Sequence, residues 1–182
     1  MLEFLAQPWV LVLNAVLYGG TMKVADLLNE HGLKLFKGAD LLFGVLWGLF
    51  GLLLVLGDQV VAQLLLAAML SYLLRNRLDF PNHRLAAVLI IGTFVLTTAP
   101  LLAVLLPFFL IFYGFGSLKD YVDDRLKLKN WLFFVTESAW HYPVPAFVYS
   151  LVTGRWIVFW AMLAWVAAYD LTKFIAARHG YR

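Results

Sequence analysis

The stretch LAAVLIIGTFVLTTAPLLAVLLPFFLIFYGFGSL, residues 85–118, contains 34 residues and no charged side chain. A membrane-spanning helix needs about 20 apolar residues, with a range of about 17–25. The stretch is therefore too long for one span and suits two short ones. Because proline breaks or kinks a helix, we expect the hinge between them near Ala99 and Pro100. These residues predict a chain that crosses a lipid bilayer.

The composition of the whole chain indicates the same class of protein. Hydrophobic residues make up 63% and charged residues 14% of its 182 residues, whereas soluble domains average about 45–50% and about 25%. We expect an integral, multi-pass membrane protein with a single transmembrane domain over residues 1–182, and the lipid bilayer as its partner. The absence of cysteine excludes disulfides and thiolate metal sites. No basic stripe marks a soluble face, so we expect no nucleic acid partner.

Charged clusters divide the chain into seven predicted spans, and the expected fold is an all-α polytopic transmembrane helical bundle. Besides the two spans within residues 85–118, the others cover roughly residues 4–22, 41–56, 59–74, 131–152 and 156–172. Three glycines at helical spacing, Gly44, Gly48 and Gly51, are expected to let the second span approach a neighbouring helix closely.

The distribution of lysine and arginine predicts how the bundle lies in the membrane. The connections at residues 23–40, 75–84 and 119–130, together with the tail from Lys173, hold 13 of the 14 Lys and Arg residues. Only Arg155 lies on the opposite side. The positive-inside rule then places these segments and the C-terminus in the cytoplasm and the N-terminus outside.

Two of the cytoplasmic connections carry pairs of carboxylates. In MKVADLLNEHG, Asp26 and Glu30 are four residues apart and share one face if this segment is helical. In LKDYVDDR, Asp120 lies three residues before Asp123 and four before Asp124, which is again helical spacing on one face. Two carboxylates on one face repel each other unless a cation lies between them. The sequence thus leaves two interpretations, solvated loops or a cation site.

A site for magnesium and a diphosphate would need this combination of charges. Mg²⁺ takes oxygen ligands, usually one or two carboxylates plus the phosphates of a substrate. Lysine and arginine supply the remaining phosphate contacts, and the second connection, LLRNRLDFPNHR, is rich in them. The arrangement predicts a metal and diphosphate site on the cytoplasmic side, with solvated loops as the alternative.

Two further ionisable residues fall inside the predicted sixth span. Glu137 and His141, in TESAWH, are four residues apart. An ionisable residue within a membrane is costly and often functional, so the pair could form a wall of the polar cavity or contact an acceptor substrate. Snorkelling or helix packing is the alternative. An iron or zinc site built from these two residues with Asp79 and His83 is conceivable, but no spacing brings their helices together.

The segment GSLKDYVDDR resembles the second aspartate-rich motif of the UbiA-type intramembrane prenyltransferases. That motif has the form DxxxD or KDxxDxxxD and lies on a cytoplasmic connection. Lys119, Asp120 and Asp123 occupy matching places, with Asp124 as an alternative partner. The second connection, LSYLLRNRLDFPNHRLAAVLI, is similar to the middle connection of the family, where a helix end with a tyrosine leads through basic residues into the next span.

The first connection resembles the first motif of that family, which has the form NDxxDxxxD. Asp26 and Glu30 match its later acidic positions, while Met22 and Lys23 replace its opening Asn-Asp. The sequence also lacks the Thr-Leu-Pro that often follows the second motif. The family usually has about nine spans, and this chain has room for about seven. The resemblance covers roughly residues 13–130.

The resemblance implies Mg²⁺-dependent transfer of an isoprenoid chain from a prenyl diphosphate to a lipophilic acceptor. The catalytic carboxylates would be Asp26 and Asp120. The metal ligands would be Asp26, Glu30, Asp120, Asp123 and Asp124. The diphosphate contacts would be Lys23, Arg75, Arg77, Lys119 and Arg125. Contacts with the cavity or the acceptor would come from Asp79, His83, Glu137 and His141.

Two other functions are compatible with the sequence. A non-catalytic lipid-binding or structural membrane protein of the same fold would explain the replacement of an acidic position by Lys23. A small transporter would more typically show internal repeats with helices interrupted near the middle of the membrane. The chain shows no convincing repeat, and its charges cluster towards the ends of the predicted spans.

Overall fold

A computed structural model describes residues 2–126 and 139–181, apart from the side chains of Asp123 and Asp124. Within these ranges the chain is helical and contains no strand. The α-helices are α1 Leu2–Leu5, α2 Pro8–Glu30, α3 Ala39–Gly57, α4 Gln59–Leu74, α5 Pro81–Thr97, α6 Leu102–Asp120, α7 Pro143–Thr153 and α8 Trp156–Arg178. A π-helical segment, Tyr121–Leu126, extends α6, and a 3-10 turn, Ala139–His141, precedes α7.

Several of the helices have the length and composition of membrane spans. α2, α3, α6 and α8 are long and apolar enough to cross a membrane, and α4 and α5 are shorter apolar helices. For the described residues the all-helical prediction is confirmed, and the four long apolar helices support the predicted membrane character by their length and composition. The number of seven spans and their orientation stay predictions.

Most predicted spans coincide with helices, but three differ in their bounds, the seventh because its helix continues past Thr172 to Arg178. The stretch 85–118 does form parts of two helices, α5 and α6, which are separated near Pro100 as expected. The first predicted span ends too early, because α2 continues past Met22 to Glu30. The sixth predicted span, 131–152, falls partly outside the described residues, and the described helix begins only at Pro143.

Side-chain hydrogen bonds replace the backbone bonds that are lost at two of the helix breaks. Asp58 separates α3 from α4, and its Oδ1 accepts hydrogen bonds from the backbone amides of Val60 at 2.8 Å and Val61 at 3.0 Å. This is a helix N-cap. At the break before α6, buried Gln63 donates to the carbonyl of Ala99 and accepts from the amide of Leu101. Gln63 thereby satisfies backbone groups that apolar surroundings leave without water.

Small residues allow the helices to pack closely. α2 packs against both α3 and α8, α3 also packs against α5, and α4 packs against α6. A Cβ atom at Gly44 would lie 2.8 Å from the Cα of Asn82, and one at Gly48 would lie 3.0 Å from the Cα of Ala86. The predicted role of these glycines in close helix packing is confirmed.

The helices alternate in direction and separate the charges between the two ends of the bundle. The C-terminal ends of α2, α4, α6 and α8 and the start of α5 surround one pocket. At the other end Arg155 donates to Asp58 at 2.6 Å. We call the end of the bundle that carries the pocket the basic end. Its position relative to the membrane stays a prediction.

Candidate functional site

A cavity of about 350 Å³ opens at the basic end of the bundle. Its charged lining consists of Lys23, Asp26, Glu30, Arg75, Arg77, Lys119, Asp120 and Lys173, and its histidines are His31, His83 and His141. Its aromatic lining consists of Trp47, Tyr72, Tyr142, Trp165 and Tyr169. The cavity therefore brings charged and aromatic side chains together in one space.

One wall of this pocket is built from two carboxylates and a histidine. Asp26, Glu30 and His83 each offer a ligand atom, and these atoms all lie within 4.8 Å of one another. Nε2 of His83 lies 3.3 Å from Oδ1 of Asp26. The other oxygen of Asp26 accepts a hydrogen bond from the hydroxyl of Tyr169 at 2.7 Å and lies 3.8 Å from Nζ of Lys23.

The helical course of α2 creates the acidic part of this wall. Because α2 continues to Glu30, Asp26 and Glu30 are one turn apart on the same face, as the sequence predicts for a helix. Asp26 is 8% exposed and Lys23 only 5% exposed, although both were expected in a connection. The burial of these charges follows from the contact of α2 with Tyr169 on α8.

The opposite wall is built around Asp120. Arg75 donates from Nε to Oδ2 at 2.8 Å and from Nη2 to Oδ1 at 2.9 Å, and Arg77 donates to Oδ1 at 2.6 Å. The guanidinium of Arg75 rests directly on Gly116, where a Cβ atom would collide with it. Burial disfavours the charged guanidinium, but the hydrogen bonds and charge of Asp120 outweigh this effect and raise the pKa of Arg75.

Among the described residues, Asp120 pairs with arginine and not with a second carboxylate. Among the residues that the structure describes, the group able to hold a metal ion comprises Asp26, Glu30 and His83 and does not include Asp120. Both oxygens of Asp120 accept from arginine instead. The described residues thus form one wall with carboxylates and a histidine and another in which Asp120 faces arginines, and the predicted pairing of Asp120 with Asp123 or Asp124 stays a prediction.

The remaining predicted site residues lie in different places. Asp79 is not in the pocket lining, but its Oδ1 lies 3.6 Å from Nδ1 of His83. Arg125 is exposed in the π-helical segment and does not line the pocket. The side chains of Asp123 and Asp124, and the whole of Glu137, lie outside the described residues.

His141 lies on the aromatic side of the pocket, in the turn before α7. Its ring stacks on Phe115 with an interplanar angle of 8° and a centroid distance of 6.1 Å. Next to it, the hydroxyls of Tyr72 and Tyr142 share a hydrogen bond of 2.9 Å. Burial, together with the positive charges of Lys119 and Arg75, lowers the pKa of His141 to about 4.

This shift predicts a specific loss of stability in acid. An unperturbed histidine has a pKa of about 6.5, so between about pH 6.5 and pH 4 the unfolded chain binds a proton that folded His141 does not. The free energy of unfolding therefore falls as the pH drops through this window. We expect this acid-induced decrease in the free energy of unfolding to be on the order of 2–3 kcal/mol. It should be absent in His141→Phe, which keeps a ring beside Phe115 but cannot bind a proton.

The measurement is the thermal midpoint of both proteins in detergent micelles, at several pH values between 7.5 and 4. The expected result is a wild-type midpoint that falls more steeply than that of His141→Phe. Parallel curves for the two proteins would contradict the prediction.

Several residues of the pocket were not found from the sequence. Tyr169 and Asp26 are 143 residues apart in the chain, and only the packing of α8 on α2 brings them together. Trp47 lies within an apolar span that showed no polar signal. Its Nε1 atom is buried without a hydrogen-bond partner in the part of the chain described, as is Nε2 of His83.

Comparison of the chain with protein-family models, with curated proteins and with solved structures found no match. The function must therefore be inferred from the chemistry of the pocket.

Proposed function

We propose that the pocket binds a prenyl diphosphate together with Mg²⁺, and that the protein is a membrane prenyltransferase of the UbiA type. It would transfer the isoprenoid chain to a lipophilic acceptor. The observation that supports this function is the presence of both charged and aromatic side chains in the lining of one cavity. A prenyl diphosphate has the same two parts, an anionic head and an apolar tail.

The charge of the pocket favours an anionic head group. Five Lys and Arg side chains line it against three Asp and Glu side chains, an excess of two positive charges when the histidines are neutral. Lys23 is buried, with its Nζ atom 3.4 Å from the hydroxyl of Tyr169 and 3.8 Å from Oδ2 of Asp26. Arg75 and Arg77 are held in place by Asp120. Such fixed cations bind phosphate oxygens strongly.

Among the described residues, the wall that offers suitable ligands for a magnesium ion is the one with Asp26 and Glu30. Asp26 and Glu30 supply the hard oxygen ligands that Mg²⁺ prefers, and the ion would neutralise charge on the diphosphate leaving group. Asp120, for which the family resemblance implies a metal ligand, is proposed here as a positioning residue for Arg75 and Arg77.

The chain's own cations and aromatic rings would assist the transfer. The bond between the prenyl carbon and the diphosphate oxygen breaks with its electron pair going to the diphosphate. The acceptor supplies the pair for the new bond and loses a proton. Lys23 and Lys119 would stabilise the negative charge that develops on the leaving group. Aromatic faces such as those of Trp165 and Tyr142 would stabilise an allylic cation.

A second candidate function is the binding of an anionic lipid without catalysis. The engagement of Asp120 by two arginines favours it, because within the described ranges one acidic wall, that of Asp26 and Glu30, is left to hold a metal ion. The two candidates differ in one measurable respect. Catalysis requires Mg²⁺-dependent binding followed by release of diphosphate, whereas a lipid-binding protein needs neither.

The test is a titration of the purified full chain in detergent with geranylgeranyl diphosphate, with and without Mg²⁺. We expect binding that depends on Mg²⁺ and is weakened about 10- to 100-fold by Asp26→Asn or by Arg77→Gln, because each removes a charged contact. Glu3→Gln, at an exposed position outside the pocket, serves as the control variant.

Three results separate the candidates. Mg²⁺-dependent binding with diphosphate release on addition of a lipophilic acceptor extract supports prenyl transfer. Binding that ignores Mg²⁺ and Asp26→Asn supports the lipid-binding function. An absence of binding, or equal binding of geranylgeraniol, which lacks the diphosphate, overturns both.

A further inference from the structure

We propose that Asp26, Glu30 and His83 form a binding site for a divalent first-row transition-metal ion, of the class of Mn²⁺, Fe²⁺ and Zn²⁺, and that this site prefers such ions to Mg²⁺. The site shares its carboxylates with the proposed prenyl diphosphate site. It does not depend on that function, because the ion would be bound by protein ligands in the absence of any diphosphate.

The first observation is the separation of the ligand atoms. Those of Asp26, Glu30 and His83 all lie within 4.8 Å of one another. Around a single ion with bonds of about 2.1 Å, two ligand atoms lie at most about 4.2 Å apart. The distance of 3.3 Å between His83 and Asp26 is already in this range. Glu30, whose side chain is 42% exposed, has room to close the remaining few tenths of an ångström.

The second observation is the state of the imidazole of His83. Its side chain is 6% exposed, and Nε2 makes no hydrogen bond of acceptable geometry with any described residue, Asp26 included. A buried nitrogen without a hydrogen bond destabilises the folded chain unless another group, such as a bound ion, satisfies it. It also lies against the pocket. A metal ion between His83 and the two carboxylates would satisfy it and offset the repulsion between Asp26 and Glu30.

The third observation is the support behind the ligands. The other ring nitrogen of His83, Nδ1, faces Asp79 at 3.6 Å, and metal-binding histidines commonly present their second nitrogen to a carboxylate in this way. The rings of Trp47 and Phe80 both pack against the imidazole in T-shaped contacts. Tyr169 holds one oxygen of Asp26 and leaves Oδ1 turned to His83.

The choice of metal follows from the donor atoms. Carboxylates alone would suit Mg²⁺, but an imidazole nitrogen favours transition metals, whose affinity for nitrogen and oxygen sites also rises along the first row. Three protein ligands leave further coordination positions open, as at catalytic metal sites. These positions would face the lysines and arginines of the pocket, where an anionic ligand can reach the ion.

The experiment uses the full chain, purified in detergent and treated with a chelator, and metal salts alone. Mn²⁺ binding is followed by electron paramagnetic resonance, with Mg²⁺ as competitor. Coupling of the bound ion to a ligand nitrogen is read by electron spin-echo modulation. We expect a single Mn²⁺ per chain, bound more tightly than Mg²⁺ and coupled to nitrogen.

The variants distinguish a ligand from a merely structural residue. His83→Gln should lower the Mn²⁺ affinity more than about tenfold and abolish the nitrogen coupling. Asp79→Asn should lower the affinity about 10-fold and keep the coupling, because it leaves all the ligands in place. His179→Gln, at an exposed position near the C-terminus, should change neither. Thermal midpoints without metal confirm that each variant is folded.

Mn²⁺ that binds no tighter than Mg²⁺, or nitrogen coupling that is absent or persists in His83→Gln, would overturn the proposal. Its failure can be told apart from failure of the proposed function. Mn²⁺ bound through His83 without any binding of geranylgeranyl diphosphate overturns prenyl transfer alone. Mg²⁺-dependent binding of the diphosphate without Mn²⁺ binding overturns the transition-metal site alone.

Discussion

Replacing Gly19 by alanine is expected to destabilise the bundle by about 3 kcal/mol and to open the pocket. A Cβ atom at this position would collide with the backbone carbonyl of Trp165 on α8. A backbone atom cannot rotate away as a side chain can, so α2 and α8 must separate, and overpacking of this kind typically costs about 1–3 kcal/mol. Two helical turns further along α2, Asp26 would then lose its hydrogen bond of 2.7 Å from Tyr169.

The neighbouring glycine provides a matched control. A Cβ atom at Gly20 would meet only the hydroxyl oxygen of Thr172, at an ordinary contact distance of 3.8 Å. Alanine is favoured over glycine in a helix interior by about 1 kcal/mol. We expect Gly20→Ala to be neutral or slightly stabilising in equilibrium unfolding with SDS in mixed micelles. Equal unfolding midpoints for Gly19→Ala and Gly20→Ala would contradict the close packing of α2 on α8.

Replacing Arg75 by methionine is expected to lower the free energy of unfolding by about 3 kcal/mol. The side chain of Arg75 is 9% exposed and that of Asp120 is 20% exposed, and the two are joined by two hydrogen bonds. Loss of one partner from a buried ion pair leaves a charge without compensation, which typically costs about 3–5 kcal/mol. Since Arg77 still contacts Asp120, we place the effect at the lower end of that range.

The second ion pair of the bundle allows a direct comparison. Arg155 and Asp58 lie 2.6 Å apart, but the side chain of Arg155 is 43% exposed. Exposed pairs contribute only about 0–1 kcal/mol, so Arg155→Met should have a small effect under the same conditions.

A double-mutant cycle of Arg75→Met with Asp120→Asn isolates the interaction of the Arg75 and Asp120 pair. The double variant should be more stable than the sum of the two single changes predicts. Additive effects, or equal losses for Arg75→Met and Arg155→Met, would show that Asp120 does not hold Arg75 in the pocket.

The boundaries of the helices were predictable where the chain carries local signals. The apolar stretch 59–74 matches Gln59–Leu74, because Asp58 supplies an N-cap before it and Arg75 follows it. The end of α2 was not predictable from hydropathy. Helical hydrogen bonding is a property of the backbone, and it continues through Lys23 to Glu30 because α8 covers this side of the helix.

The candidate site was predictable only in part. The spacing of Asp26 and Glu30 is local and indicates a shared face on any helix. The contact of His83 with Asp26 depends on the packing of α3 against both α2 and α5, which no spacing in the sequence shows. The partners of Asp120 depend in the same way on the packing of α4 against α6.

The sequence by itself therefore determined the helical class, the membrane character, and the concentration of cations in the segments that meet at one end of the bundle. These properties depend on composition and on local spacing, which the chain order contains directly. Only the tertiary structure decided which carboxylate faces a histidine and which faces arginine, because those contacts join residues distant in the chain. These contacts depend on glycines such as Gly19 and Gly116. Because glycine has no side chain, a neighbouring helix or a guanidinium can come close at these positions.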